Sequence, residues 1–285
     1  MSAVVDAHHH FWDTSSPDFA YDWMTDALAA IRGRFGPDEL RPLLGQRSVD
    51  CTILVQALPS PRETAWFLET AGTTDFVAGV VGWVDLTDPR IEEALAQLRD
   101  RPDGTKLVGI RHQAQDEPDP GWLARPDVQR GVAAVGRAGL AYDILILSHQ
   151  LPAAVELVRS QPDCRFVLDH IAKPDIKGRV LEPWATHMQQ LAELPNVWVK
   201  VSGMIEEADW QAWRTEDLRP YVGRVLDWFG PERLMFGSNW PVCLVAGSYA
   251  QVHDALLDAL GDVSAAERDR ILGGNAIGAY QLLVD

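Results

Sequence analysis

The sequence predicts an α/β protein folded as one TIM (β/α)8 barrel, a single domain over residues 1–285. Apolar, β-rich runs recur eight times along the chain, and each is followed by a segment with helical spacing of its apolar residues. Strands that alternate with helices pair in parallel through right-handed crossovers. Eight such units in a chain of 285 residues fit a TIM barrel without a second domain.

The eight predicted strands are 4–12, 51–57, 77–86, 107–114, 141–147, 165–172, 197–203 and 234–241. Helix signals lie between them: Ser60 and Pro61 begin one helix, and Gly72 ends it. The alternative fold is a doubly wound open sheet. It is disfavoured because no glycine-rich phosphate fingerprint follows the first strand.

Two segments fall outside the repeating units. Residues 13–48 form a long connection after the first strand, which predicts a lid or insert over the barrel mouth. Residues 262–285 predict an extra helix at the C-terminus.

Composition and charge narrow the class of partner. With 41 acidic and 25 basic residues, the formal net charge is −16, which repels nucleic acid and anionic lipid head groups. There is no apolar run long enough for a membrane span and no secretory signal. We therefore expect a small-molecule ligand, no nucleic acid and no membrane partner, and we leave a homo-oligomer open.

The cysteines indicate a reducing compartment. Cys51, Cys164 and Cys243 are far apart, odd in number and without CxxC spacing. A disulfide framework is therefore not expected, and the sequence predicts a cytoplasmic protein.

The stretch VVDAHHHFWD ends the first predicted strand in three histidines. Side chains alternate between the two faces of a strand, so His8 and His10 are expected on one face with Asp6. His9 is expected on the other face, with Phe11. Two imidazoles two residues apart can bind one metal ion or one substrate oxygen.

The other predicted strands also end in polar or aromatic residues. These are Gln56, Trp83, Asp85, Arg111, His112, Asp169, His170, Lys173, Lys200, Ser202, Asn239 and Trp240. A TIM barrel builds its active site at the carboxyl ends of its strands, so we expect many of these side chains to meet in one pocket. Each of these residues also has an explanation without a role in function. A buried histidine is often hydrogen-bonded to the backbone, and a lysine on a strand often extends its ammonium group to solvent.

Five motifs occur in order along nearly the whole chain: DAHHHFW, GIRH, VLDHIAKP, FGSNWPV and GGNAIGAYQL. Together they resemble the amidohydrolase superfamily, in the branch called amidohydrolase family 2. Within it they are most similar to the sugar lactonases, such as L-fuconolactonases and L-rhamnonolactonases. GxSxG, HExxH and P-loop motifs are absent from the sequence.

The resemblance implies a site built from four residues: His8 and His10 as the strand-one HxH, His170 on strand six and Asn239 on strand eight. It implies that these four serve in catalysis and hold one divalent metal, Zn²⁺; activity without a metal also stays open. Arg111 matches the position where relatives place a cation against substrate oxygens.

Two positions depart from the family pattern. His9 replaces a residue that is more often Gln, and alternation turns it away from the site. Asn239 replaces an expected Asp, and an amide cannot accept a proton at neutral pH. Three explanations stay open. Asn239 is the natural residue and another group acts as the base, or Asn239 is an engineered substitution, or the protein has lost turnover.

The leading interpretation is hydrolysis of a sugar-acid lactone to the open aldonate. Arg111, Lys173 and Lys200 would bind hydroxyl or carboxylate oxygens, with Gln56 and His112 as further polar contacts. Trp12, Trp83 and Trp240 offer flat faces for a sugar ring, with plain core packing as the alternative. Two other functions remain: a metal-dependent decarboxylase of an unsaturated acid, and a non-catalytic ligand-binding barrel.

Overall fold

The computed structural model describes residues 3–284 and contains an eight-stranded parallel sheet. In chain order the strands are β1 Val5–His9, β2 Trp12–Asp13, β3 Arg34–Phe35, β4 Cys51–Val55, β5 Val77–Gly82, β6 Leu107–Gln113, β7 Ala141–Leu145, β8 Phe166–Leu168, β9 Val197–Val201 and β10 Leu234–Phe236. Strands β2 and β3 form a separate antiparallel pair.

The sheet closes on itself at its carboxyl end. Its strands pair in the order β1-β4-β5-β6-β7-β8-β9-β10. The His10 amide donates to the Trp240 carbonyl at 2.7 Å, and the Asn239 amide donates to the His8 carbonyl at 2.8 Å. These bonds join β1 to the segment after β10, and the predicted (β/α)8 barrel is confirmed.

Helices surround the barrel. They are α1 Pro37–Gln46, α2 Pro61–Thr73, α3 Ile91–Arg99, α4 Pro126–Arg137, α5 Leu151–Ser160, α6 Trp184–Ala192, α7 Thr215–Phe229, α8 Tyr249–Leu260, α9 Ala265–Asp269 and α10 Asn275–Tyr280. Their apolar faces pack on the outside of the barrel to form the main core. None of the helices in residues 3–284 is both long and apolar enough to cross a membrane.

The opposite, amino-terminal end of the barrel is filled by apolar side chains. Ala276, Ala279 and Tyr280 of α10 pack against inward-facing residues such as Ile53 and Val81. The predicted C-terminal helix is present over residues 265–280, where α9 and α10 follow each other without a break through a π-helical turn at Arg270–Gly274. Because this end is closed, polar chemistry is confined to the carboxyl end.

The predicted insert at 13–48 contains β3, α1 and a short 3₁₀ helix, Asp26–Ile31. Trp23 and Leu28 of this insert lie on the wall of the cavity at the barrel mouth. The insert is therefore placed where a lid would act, and lid motion stays a prediction.

Two helical glycines give a matched test of the packing around the barrel. A Cβ at Gly131 in α4 would lie 2.1 Å from the Leu86 carbonyl oxygen, whereas a Cβ at Gly223 in α7 meets no atom within 4 Å. Gly131→Ala should lower the free energy of unfolding by about 1–3 kcal/mol through overpacking. Gly223→Ala should raise it by roughly 0.5–1 kcal/mol through helix propensity. Urea denaturation measures both, and equal effects would contradict this packing.

Candidate active site

A cavity of about 310 Å³ lies at the carboxyl end of the barrel, within the size range of small-molecule sites. Five of the residues singled out in the sequence line it: His10, Arg111, His170, Lys173 and Asn239. They come from four different parts of the barrel, so the fold brings together residues up to 229 positions apart, from His10 to Asn239.

His8 lies directly beneath this cavity and is fully buried. Its Nε2 is 3.2 Å from His10 Nε2 and 3.4 Å from an Arg111 Nη atom. Its ring centre is 4.4 Å from that of His170. The expected convergence of His8, His10 and His170 is therefore present, with His8 below the other two.

Asp6 does not share the face of His8 and His10, so that expectation was wrong. Three steps along β1, from Asp6 to His9, match two steps along β4, from Thr52 to Leu54. This irregularity breaks the period-two alternation, as a β-bulge does. The Asp6 carboxylate instead accepts hydrogen bonds from the backbone amides of His8 and Ser238.

His9 points away from the cavity, as alternation predicts. Its Nε2 is 2.8 Å from Thr52 Oγ1, and its ring packs on Phe11 with centres 4.7 Å apart. His9 therefore supports the wall behind the site.

The centre of the buried layer is the carboxylate of Asp169. Its Oδ2 accepts from Arg111 at 2.8 Å, and its Oδ1 lies 2.9 Å from the Lys200 ammonium and 3.3 Å from His8 Nδ1. The Lys200 ammonium also lies 2.5 Å from Asp143 Oδ2. Tyr280 of α10 donates to the same oxygen at 2.7 Å. Two carboxylates and two cations thus balance each other's charge.

This network sets the protonation states of its members. Burial alone would raise the pKa of Asp169, but Lys200, His8 and Arg111 hold that pKa well below its usual value. Burial raises the pKa of Asp143 to about 6, with Lys200 opposing the rise. Asp169 is therefore a permanent anion that holds Arg111 in place.

The three site histidines are neutral at pH 7. Burial lowers the pKa of His10 to about 3 and lowers the pKa values of His8 and His170 well below the usual value. His10 Nδ1 is 2.7 Å from the Val55 carbonyl oxygen, which can only accept a hydrogen bond, so Nδ1 carries the proton. His10 Nε2 then carries a lone pair.

His170 is held by an unusual backbone turn after β8. Four consecutive residues, His170 to Lys173, have positive φ angles between 46° and 59°. Such angles are rarely adopted by residues other than glycine, and they tend to cluster at functional sites. His170 Nδ1 lies 2.9 Å from Ser202 Oγ, and Gly203 packs against the imidazole.

Two of the predicted substrate contacts lie behind the cavity wall and need correction. Lys200 is fully buried between Asp143 and Asp169, so its ammonium has no room for a ligand. Gln56 is also fully buried, and its Oε1 accepts from Arg111 at 3.0 Å. Both residues therefore hold other groups in position.

The three tryptophans expected to stack on a sugar do not line this cavity. Trp12 donates to the Ile31 carbonyl at 3.0 Å within the aromatic core of the insert. Trp240 is buried and packs edge-on against Phe35 with ring centres 5.5 Å apart. For both, plain packing is the observed arrangement.

Trp83 and His112 pair with each other beside the site. Trp83 Nε1 donates to His112 Nδ1 at 3.1 Å, and His112 stacks on Trp122 at 4.2 Å. His112 Nε2 is bonded to Glu117 at 2.7 Å. Both side chains make their polar contacts outside the cavity, where they stabilise the loop after β6. Neither of them lines the cavity.

The cavity also contains residues that sequence reasoning missed. Trp23, Trp210 and Glu206 line it, and Asp143 supports it from below. Asp143 could have been identified from the sequence, because it is a single acidic residue inside the apolar strand AYDILIL. Glu206 had none, because it lies on a short 3₁₀ helix after β9 and not at a strand end.

The donor types at the site fit a divalent metal ion. His8, Asp169 and His170 are buried and present ligand atoms within 4.8 Å of one another. Imidazole and carboxylate are the ligands that Zn²⁺ takes in catalytic sites. Asn239 is not one of this group: its amide nitrogen, which has no free lone pair, donates to Glu206 at 2.8 Å. Only the amide oxygen of Asn239 could coordinate an ion, so the metal role expected for Asn239 stays a prediction.

The residues from 5 to 282 match the family model described as Amidohydrolase. The chain belongs to the amidohydrolase family. It is 39% identical over 290 residues to an L-fucono-1,5-lactonase from Burkholderia multivorans, covering 98% of this chain and 96% of the relative. It is also 39% identical to an L-fucono-1,5-lactonase from Burkholderia ambifaria over 289 residues, covering 99% of this chain and 97% of that relative.

A solved amidohydrolase structure from B. multivorans with bound zinc is similar throughout. Its TM-score is 0.91 at 37% identity, and the match covers 99% of this chain and 100% of that chain. The barrel and the family that the motifs indicated are thus confirmed.

Gly203 offers a test of how tightly His170 is held. A Cβ at Gly203 would lie 2.5 Å from His170 Nδ1, whereas a Cβ at Gly139 meets no atom within 4 Å; both glycines have positive φ, 63° and 76°. Gly139→Ala should cost about 1 kcal/mol of unfolding free energy from backbone strain alone. Gly203→Ala should cost about 1–3 kcal/mol more from overpacking. Equal urea midpoints for the two variants would contradict the close contact.

Proposed function

We propose that this protein hydrolyses a sugar-acid lactone to the corresponding aldonate. The observation that supports this most is the full-length similarity to two curated L-fucono-1,5-lactonases at 39% identity. The cavity suits a monosaccharide-sized ligand, and it joins cationic, amide and carboxyl groups with an apolar side that includes Leu28 and Val242.

The reaction needs a polarised ester carbonyl and stabilisation of the oxyanion that forms on it. Arg111 lines the cavity and is fixed from behind by Asp169 and Gln56, so its charge is preorganised. Lys173 lines the same cavity and forms no salt bridge within residues 3–284. We assign Arg111 to the carbonyl oxygen and Lys173 to the ring hydroxyls or the new carboxylate.

A divalent ion, with Zn²⁺ as our candidate, would be held by His8, Asp169 and His170, with His10 beside them. When bound, such an ion would polarise the carbonyl or a water molecule. Arg111 and Lys200 already neutralise Asp169, and Arg111 presents a cation to the cavity without an ion. We therefore propose that the metal assists but is not required.

We also propose a cytoplasmic location. Cys51, Cys164 and Cys243 are free and buried, so the described chain contains no disulfide and suits a reducing compartment.

A panel of aldonolactones, including L-fuconolactone, assayed by proton release tests the proposal. We expect turnover of at least one 1,4- or 1,5-lactone. Failure on the whole panel would refute the lactonase function. Release of CO₂ from an unsaturated acid would instead favour a decarboxylase, and lactone binding in a calorimeter without turnover would favour a binding protein.

Lys173→Met should lower kcat/KM by about 10- to 100-fold, because a charge-assisted hydrogen bond to substrate is lost. Stability should change little, since this ammonium forms no salt bridge within residues 3–284 and acts on Glu206 and Glu207 only through its charge. Lys177→Met is the matched control: Lys177 is exposed, pairs with Asp209 at 3.6 Å and should stay within twofold of the parent. Equal activity of the two variants would remove Lys173 from the site.

Dialysis against a strong chelator should leave at least about a tenth of the activity, because Asp169 and Gln56 keep Arg111 oriented at the cavity without an ion. Metal content by elemental analysis is measured on the same sample. A loss of more than about 100-fold, restored by stoichiometric Zn²⁺, would show that the metal is required.

A further inference from the structure

Hydrolysis of a lactone requires a group that takes a proton from the attacking water, and Asn239 cannot do so. An amide has no basic lone pair at neutral pH. The neutral histidines are weak candidates, because burial lowers the pKa of His10 to about 3 and that of His170 well below its usual value. A general base works best when its pKa is near the working pH.

A carboxyl group lies next to Asn239 in the same cavity. The Asn239 amide nitrogen donates to Glu206 Oε1 at 2.8 Å, and both residues line the cavity wall. The other oxygen, Oε2, is shielded from bulk solvent and has no hydrogen-bonding partner in the described chain. A buried acceptor left without a partner is costly, so such an atom calls for an explanation.

We propose that Glu206 is the proton acceptor of this enzyme, and that Asn239 orients it by donating to Oε1. This inference rests on the proposed lactonase function. In the family pattern one strand-eight carboxylate would accept the proton. Here the Asn239 amide would orient the Glu206 side chain, and the Glu206 carboxylate would accept the proton.

The surroundings of Glu206 suit this role. Burial raises its pKa to about 7, and the hydrogen bond from Asn239 limits the rise. Two charged groups act on it from other positions: Glu207 raises the pKa and Lys173 lowers it. Trp210 Nε1 donates to the Glu206 carbonyl at 2.8 Å, which ties the backbone of this short helix to the cavity rim.

In the proposed step, a water molecule attacks the lactone carbonyl carbon with Glu206 as the base. The water oxygen bonds to the lactone carbonyl carbon while one of its protons moves to the Glu206 carboxylate. The bond from that carbon to the ring oxygen then breaks, and the ring oxygen takes the proton from Glu206 to become a hydroxyl group. One water is consumed, Glu206 is regenerated and the product is the open-chain acid, which ionises to the aldonate.

The test uses the whole 285-residue chain and the lactone that it turns over fastest. Glu206→Gln should lower kcat by about 10²- to 10⁴-fold, with KM within about threefold, since proton transfer is lost while shape is kept. Asp209→Asn is the control in the same loop; Asp209 pairs with the exposed Lys177, and this variant should stay within twofold. Thermal unfolding of each variant separates loss of chemistry from loss of fold.

Two further variants keep the proposal open to refutation if Glu206→Gln folds poorly. Glu206→Ala should regain at least tenfold in kcat when sodium formate is added, because a small carboxylate can enter the vacated space. The double variant Glu206→Gln/Asn239→Asp exchanges amide and carboxylate, and it should exceed Glu206→Gln by at least tenfold.

The outcomes are distinguishable. Lactone turnover by the parent, with kcat of Glu206→Gln within tenfold of it, overturns the role of Glu206 and leaves the lactonase function standing. A folded Glu206→Ala that formate does not rescue also overturns it. A parent protein that opens no lactone in the panel overturns both proposals.

Discussion

The arrangement of the site depends on one buried carboxylate, that of Asp169. It lies inside the barrel, where an unpaired charge would be very costly, and it is paired with Arg111 and Lys200 at 2.8 and 2.9 Å. Removing one partner of a buried ion pair typically costs about 3–5 kcal/mol, because the other charge is left uncompensated. The network therefore holds its members in a single arrangement, and Arg111 reaches the cavity already oriented.

The two ends of the barrel are linked through the same network. Tyr280, on the helix that closes the amino-terminal end, donates to Asp143, which in turn pairs with Lys200. Its ring lies among apolar residues, and its hydroxyl group reaches the polar layer above them. The C-terminal helix thus completes the apolar filling of the barrel and also satisfies a charge below the site.

Charged and neutral side chains occupy different positions around the cavity. The chain has a net charge of −16, and its cavity is lined by two cations, Arg111 and Lys173, together with the acidic residues Asp116, Glu206 and Glu207. The site histidines are neutral, both His8 beneath the cavity and His170 on its wall, because burial disfavours the imidazolium form. Burial raises the pKa of Glu206, on the cavity wall, to about 7, so its protonation can change near neutral pH.

The sequence by itself determined the barrel, the family and much of the cavity lining. Strand and helix periods are local properties, and the carboxyl ends of parallel strands must meet, so His10, Arg111, His170 and Asn239 were found without coordinates. The tertiary structure decided which side chains reach the cavity. Because of a bulge in β1, the Asp6 side chain does not share the face of His8 and His10. Lys200 lies behind the cavity wall because it pairs with a buried carboxylate, and strand alternation cannot predict such a pair. Glu206 was invisible because its position depends on how a loop folds against a residue 33 positions away.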